Sequence, residues 1–96
     1  MKRINSLLFD DALNLKQVDI VIEKLDTEWG YCLQEIDDPF PIIGLSDRFP
    51  TATDCATTIA HELVHLYQIQ ILDKEPDHGR SFTKFKKVAK EVGYEL

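Results

Sequence analysis

All three histidines of this chain fall between positions 61 and 78, two inside HELVH and one inside DHGRSF. His61 and His65 stand four residues apart. In an α-helix that spacing stacks them one turn apart on the same face. The segment is therefore expected to be helical. Two imidazoles there can aim at one point, about 2.0–2.1 Å from a zinc ion. Glu62 falls about 100° around the same helix from His61, beside that point and within reach of a water held there. His-Glu-x-x-His on a helix reads as a zinc hydrolase site. Catalytic zinc usually takes three protein ligands and leaves one position open. His78, the remaining histidine, supplies the third if the chain turns back after the helix.

Length and charge limit the alternatives. Ninety-six residues make one small domain, spanning 1–96, with a single core. No run of eighteen apolar residues is present, so no membrane helix is expected. The N-terminus, MKRINSLLFDDALNL, lacks the long apolar stretch and small-residue cleavage site of a secretory signal. Two cysteines, Cys32 and Cys55, are too few for a disulfide framework and do not form a C-x-x-C pair. These features fit a reducing, intracellular, cytoplasmic setting.

The net charge of −6 argues against bulk electrostatic capture of nucleic acid. The charge is uneven, however. Residues 1–79 hold six basic and fifteen acidic side chains, and residues 80–96 hold five basic and two acidic. Arg80, Lys84 and Lys87 would line one face of a last helix, where cations suit the helix dipole and can also meet an acidic partner.

Ile4, Leu7, Leu8, Ala12 and Leu15 recur near helical spacing and predict a short amphipathic helix over 3–14. Val18 to Leu25 is rich in β-branched residues and predicts a strand. TEWG reads as a turn with Gly30 free to take a positive φ, and YCLQEI as a second strand. DDPFP is a loop, because two prolines cannot sit inside a sheet. IIGLSDRF predicts a third short strand, with a glycine that permits close approach of another group. A long helix is expected from about Cys55 to Leu72, with Thr53 or Asp54 as N-cap. Its apolar side, Ala56, Ile59, Ala60, Leu63, Leu66 and Tyr67, would pack on the sheet while Thr58, His61 and His65 face a cleft. DKEPDHG is a turn. A last helix follows, with Ser81 as candidate N-cap, an apolar stripe of Phe82, Phe85, Val88, Ala89 and Val92, and Gly93 as its stop. Phe82 and Phe85 are expected to dock this helix on the HELVH helix and so fix His78.

The order of helix, three strands, a HELVHLYQ helix and then HGRSF opening a last helix resembles the SprT-like, or Spartan-type, zinc metallopeptidase domain. In that family the helix carries His-Glu-x-x-His, and a later His-Gly-x-x-aromatic segment supplies the third ligand. Here these positions are His61, Glu62, His65 and the run His78, Gly79, Arg80, Ser81, Phe82. The likeness is strongest over residues 55–85. It implies an α+β, zincin-like fold: an N-terminal helix, a small, mostly antiparallel three-stranded sheet, the active-site helix, and a C-terminal helix packed on it. Many members add a cysteine-rich zinc ribbon. With two cysteines this chain has no Cys₄ set, so it is expected to be a minimal form, of the kind a bacterium or phage would encode.

The resemblance implies peptide hydrolysis with one zinc ion on His61, His65 and His78. Zinc acidifies a water and polarises the scissile carbonyl, and Glu62 serves as general base. The IIGLS strand is expected to be the edge nearest the cleft, where an extended or unstructured protein substrate adds as an extra strand. Tyr67, Arg80 and Tyr94 are the candidate oxyanion donors. Asp73 and Asp77 are further oxygen atoms near the site. Cys55 lies six residues before His61 and is not expected to reach the metal. The protein is expected to be a monomer. Two other readings stand beside this one: a non-catalytic module that uses zinc to hold two helices together, and a nucleic-acid-associated protein that works through its basic last helix.

Overall fold

A computed structural model describes residues 1–96. It contains α1 (Lys2–Phe9), β1 (Asp19–Glu23), β2 (Gly30–Leu33), β3 (Ile42–Ser46), α2 (Ala52–Gln70) and α3 (Arg80–Glu91). The architecture is α+β, three helices and one small sheet, as expected. No helix is long and apolar enough to cross a membrane.

The sheet is mixed rather than mostly antiparallel. Its order is β1-β3-β2, with β1 parallel to β3 and β2 antiparallel to it. The IIGLS strand is therefore central, not an edge. Its burial explains the placement: Ile43 and Leu45 are buried, whereas every residue of β1 is exposed. The free edge beside α2 belongs to β2. Gly44 earns its place at the centre, because Tyr31 lies directly opposite it and a Cβ there would fall within 2.0 Å of the Tyr31 ring. The ring crosses β3, and its hydroxyl donates to Glu23 on β1. That bond, with some burial and nearby carboxylates, pushes the phenol up to about 12.

Helix α1 is shorter than its apolar spacing suggests. Asp10 and Asp11 both adopt left-handed conformations, and the Asp11 N–H closes on the Asn5 carbonyl at 3.1 Å, which ends the helix in the manner of a Schellman turn. Buried Asn5 then clamps the following loop. Its amide nitrogen donates to the Leu13 carbonyl at 3.0 Å, and its oxygen accepts from the Leu13 N–H at 3.1 Å.

Helix α2 begins earlier than expected. Thr51 is the N-cap, not Thr53 or Asp54. Its Oγ1 accepts from the Asp54 N–H at 3.1 Å and its hydroxyl donates to the Asp54 carboxylate at 2.8 Å, a reciprocal cap across three residues. At the other end Asp73 turns left-handed and the Lys74 N–H bonds the Gln68 carbonyl. Ala60, Leu63, Val64 and Leu66 of α2 are fully buried in a core shared with Ile4, Leu8, Phe9, Leu13, Ile43, Leu45, Phe82 and Ala89. Helix α3 starts at Arg80 with Gly79 as N-cap and no side-chain cap. Ser81 is one residue inside the helix and has another partner, described below. Gly93 ends it at a φ of 98°. Phe85 packs on Phe9 at 4.9 Å and on Tyr67 at 4.7 Å between ring centres, so α1, α2 and α3 meet in one aromatic cluster.

Candidate metal centre

One ligand nitrogen from each of His61, His65 and His78 lies within 4.8 Å of the others. The first two are presented by successive turns of α2, and the third by the turn that leads into α3. The Nε2 atoms of His61 and His78 are 3.4 Å apart, close to the roughly 3.3 Å that tetrahedral coordination at ordinary zinc–imidazole distances requires. Three imidazoles converging in this way are a donor set that fits a metal ion.

Phe82 is the surface on which these rings rest. Its ring centre is 4.8 Å from that of His61, 5.2 Å from His65 and 4.7 Å from His78. The expected docking of α3 on α2 is present, with a division of labour within the stripe: Phe82 touches the imidazoles and Phe85 the core. Burial makes it harder to charge His61, and the neighbouring His65, His78 and Lys86 add to the effect, lowering its pKa to about 4. His65 is also lowered, chiefly by burial, against the opposing effect of its hydrogen bond to the Gln68 amide oxygen. Both rings are thus biased toward the neutral form that binds metal.

Glu62 lies on the β2 side of α2, in a cleft that His61 also lines. It is 5% exposed, and burial, with a smaller contribution from Glu28, pushes its carboxyl up to about 7. Gly30 at the start of β2 makes room for it. A Cβ on Gly30 would come within 3.2 Å of Glu62 Oε2 and 2.8 Å of Thr58 Cγ2. Gly30 does not take a positive φ, so its value lies in close approach and not in turn geometry. Trp29, Gly30, Thr57, Thr58, His61, Glu62 and Leu96 line a cleft of about 220 Å³ at this spot. Further along the β2 edge, Cys32, Leu33 and Gln34 form one wall of a groove of about 690 Å³, facing Ile69 and the 73–76 turn. Burial, and then the Glu62 charge, raise the Cys32 thiol to about 12.

The remaining sequence candidates sort clearly. Tyr67 stacks on Phe9 and meets Phe85 edge-on. It lies two positions beyond His65 and so about 200° around the helix from it, on the side away from the imidazoles. Tyr94 packs against the core. Arg80 lies beside His78 in a groove of about 550 Å³ that also holds Lys84 and Lys87. Cys55 is a free thiol outside the ligand cluster. Asp77 serves the turn: its carboxylate accepts from the Gly79 N–H at 3.0 Å and pairs with Lys74 at 2.6 Å, and these contacts lower its pKa. Asp73 ends α2.

Two residues escaped the sequence reading. Gly30 was legible only as a turn former, since nothing local shows which side chain it must admit. Gln68 had a signal: it lies three residues after His65 on the same helix face and is a polar residue on a segment whose neighbours are apolar. It is fully buried.

A helix-borne histidine pair, a third histidine in the turn that leads into the next helix, and a buried glutamate beside a sheet edge form, on an α+β scaffold, a cluster whose three imidazoles could hold a metal ion. The chain belongs to the SprT-like family, whose model matches residues 1–96. No curated protein and no solved structure matches it.

Proposed function

We propose that this protein is a zinc metallopeptidase that hydrolyses peptide bonds in extended or unstructured protein segments. The observation that carries the reading is the convergence of three imidazoles within 4.8 Å beside a buried glutamate that faces a cleft. His61, His65 and His78 would hold the ion. Zinc, when bound, supplies a Lewis acid that acidifies water and polarises a carbonyl.

The chain's own residues account for the rest. Glu62 accepts the proton of the attacking water on its carboxylate and delivers it to the departing amine. Its raised pKa suits both halves of that task near neutral pH, because it is neither too weak to take the proton nor too strong to release it. A non-catalytic zinc module gives no reason to bury a carboxylate here at a desolvation cost. The free edge of β2, not β3, is the one beside the site. A substrate strand paired with Gly30–Leu33 would run from the Trp29 cleft toward the groove at Leu33 and Gln34 by backbone bonds, with little demand on sequence.

The test uses purified protein, its metal content and a denatured protein as substrate. One zinc per chain is expected, with severe loss of metal in His61→Ala, His65→Ala and His78→Ala. Glu62→Gln should keep zinc and fold yet lose about 10²–10⁴-fold in hydrolysis. A loss below about tenfold rejects Glu62 as the base, and zinc retained by His78→Ala rejects the third ligand.

A further inference from the structure

Gln68 has all four hydrogen-bonding positions of its side-chain amide occupied. Its Oε1 accepts from the Asp77 N–H at 3.0 Å and lies 2.9 Å from His65 Nδ1. Its Nε2 donates to the Asp77 carbonyl at 3.0 Å and to Ser81 Oγ at 2.9 Å, with Asp77 Oδ1 at a longer 3.4 Å. The orientation of this amide is dictated by the backbone. An N–H can only donate and a carbonyl can only accept, so Oε1 must face the Asp77 nitrogen and Nε2 the Asp77 oxygen. His65 Nδ1, meeting an oxygen, must then carry the proton. Its Nε2 is left with the lone pair that a metal takes.

We propose that Gln68 is the positioning residue of the site, joining His65 and the turn that bears His78 into one prearranged ligand set. The proposal rests on the metal-centre reading above and deepens it. His65 lies on α2, and His78 follows Asp77 directly, so one buried side chain sets the tautomer of the second ligand and the position of the third. Ser81 ties the first turn of α3 to the same amide. Ordinarily a ligand histidine is oriented by a carboxylate or a backbone carbonyl. A neutral amide does this here without adding charge to a buried site, and it has a nitrogen left over to hold the second segment. Phe82 supports the rings from below but, lacking polar atoms, cannot select a tautomer.

The test compares wild type with Gln68→Met, which keeps length and bulk and loses the hydrogen bonds. Zinc affinity is measured by chelator competition at a temperature where the metal-free variant is folded. A loss of about 10–100-fold is expected, the usual effect of removing an outer partner of a metal ligand. The long-range ¹H–¹⁵N spectrum of metal-free protein, at a pH where the imidazole is neutral, should show His65 protonated on Nδ1 in wild type and a mixture of tautomers in the variant. A residue that merely filled space would leave the tautomer unmoved. Wild-type affinity in Gln68→Met, with zinc still lost in His65→Ala, overturns the role of Gln68 and leaves the metal centre standing. Zinc retained in all three histidine variants overturns the metal centre itself. Should Gln68→Met not fold, the wild-type spectrum alone decides, because a His65 protonated on Nε2 contradicts the proposal.

Discussion

Two buried side-chain amides each fasten a loop of this molecule, and they do the same thing to different purpose. Asn5 grips both backbone groups of Leu13, and Gln68 grips both backbone groups of Asp77. Each fastens a turn to the helix before it. The Asn5 clamp closes on an apolar surround of Ile4, Leu8 and Leu13. The Gln68 clamp closes on the His65 imidazole, whose pKa is lowered, chiefly by burial. The same device is a structural lock in one place and, in the other, touches a histidine cluster that could hold a metal ion. What differs is whether a ligand histidine shares the amide oxygen.

The sharpest way to break this comparison is Phe82→Ala, with the largest expected effect. Truncating a buried phenylalanine costs about 3–5 kcal/mol, a large share of what a domain of this size holds. Because Phe82 touches all three imidazoles, zinc affinity should fall as well, measured where the variant is still folded. If affinity matched wild type, the ligands would be held by Gln68 and the turn alone, and the support assigned to α3 would be wrong.

Asn5→Ala is the complementary test. It strands a buried N–H and a buried carbonyl, at about 1–3 kcal/mol each, so the melting temperature of metal-free protein should drop clearly. Zinc affinity at a temperature well below the transition should be unchanged. Weakened affinity would mean that the two clamps are coupled through α1 and the Phe9–Phe85 contact, and are not separate devices.

The smallest effect concerns pH and metal-free protein. Glu62 is raised from 4.5 to about 7 on folding, so the folded state binds more protons than the unfolded chain in that window. Its contribution to stability is present below pH 4.5 and is lost as pH rises through 7. His61 runs the other way: lowered from 6.5 to about 4, it makes stability rise with pH between those values. Glu62→Gln removes the first dependence only. Its advantage in stability over wild type should therefore grow from pH 4.5 to 7 and then level off, on the order of 1–3 kcal/mol. Asn5→Ala should instead shift the whole profile down without reshaping it. Denaturant melts of both variants at pH 4.5, 6 and 8 read this directly, and a constant offset for Glu62→Gln would show that its burial does not set its titration.

Much of the site was legible before any coordinates. The four-residue spacing of His61 and His65 demands a helix, and Glu62 between them has a direction on that helix. His78 was the one histidine left, with Asp73 and Asp77 as possible oxygen ligands beside it, and the Phe82 and Phe85 stripe announced a helix that needed a partner. Element ends were less legible. Thr51, Asp10 and Asp11 override the local preferences of Thr53, Asp54 and the 3–14 periodicity through caps that depend on a few hydrogen bonds. Ser81, a good N-cap by type, is instead taken by Gln68.

What the sequence determined by itself is therefore the helical presentation of the chemistry, because periodicity and residue type are local properties written in consecutive positions. The tertiary structure alone decided which strand lies at the centre, which glycine must admit Glu62, and which amide orients His65. Strand order follows from competition for burial between Ile43 and Leu45 on one strand and the exposed Ile20 and Ile22 on another. Gly30 and Gln68 owe their roles to partners that are distant in the chain. Such partners meet only once the core has closed, and no pattern of neighbours along the chain encodes the distance between them.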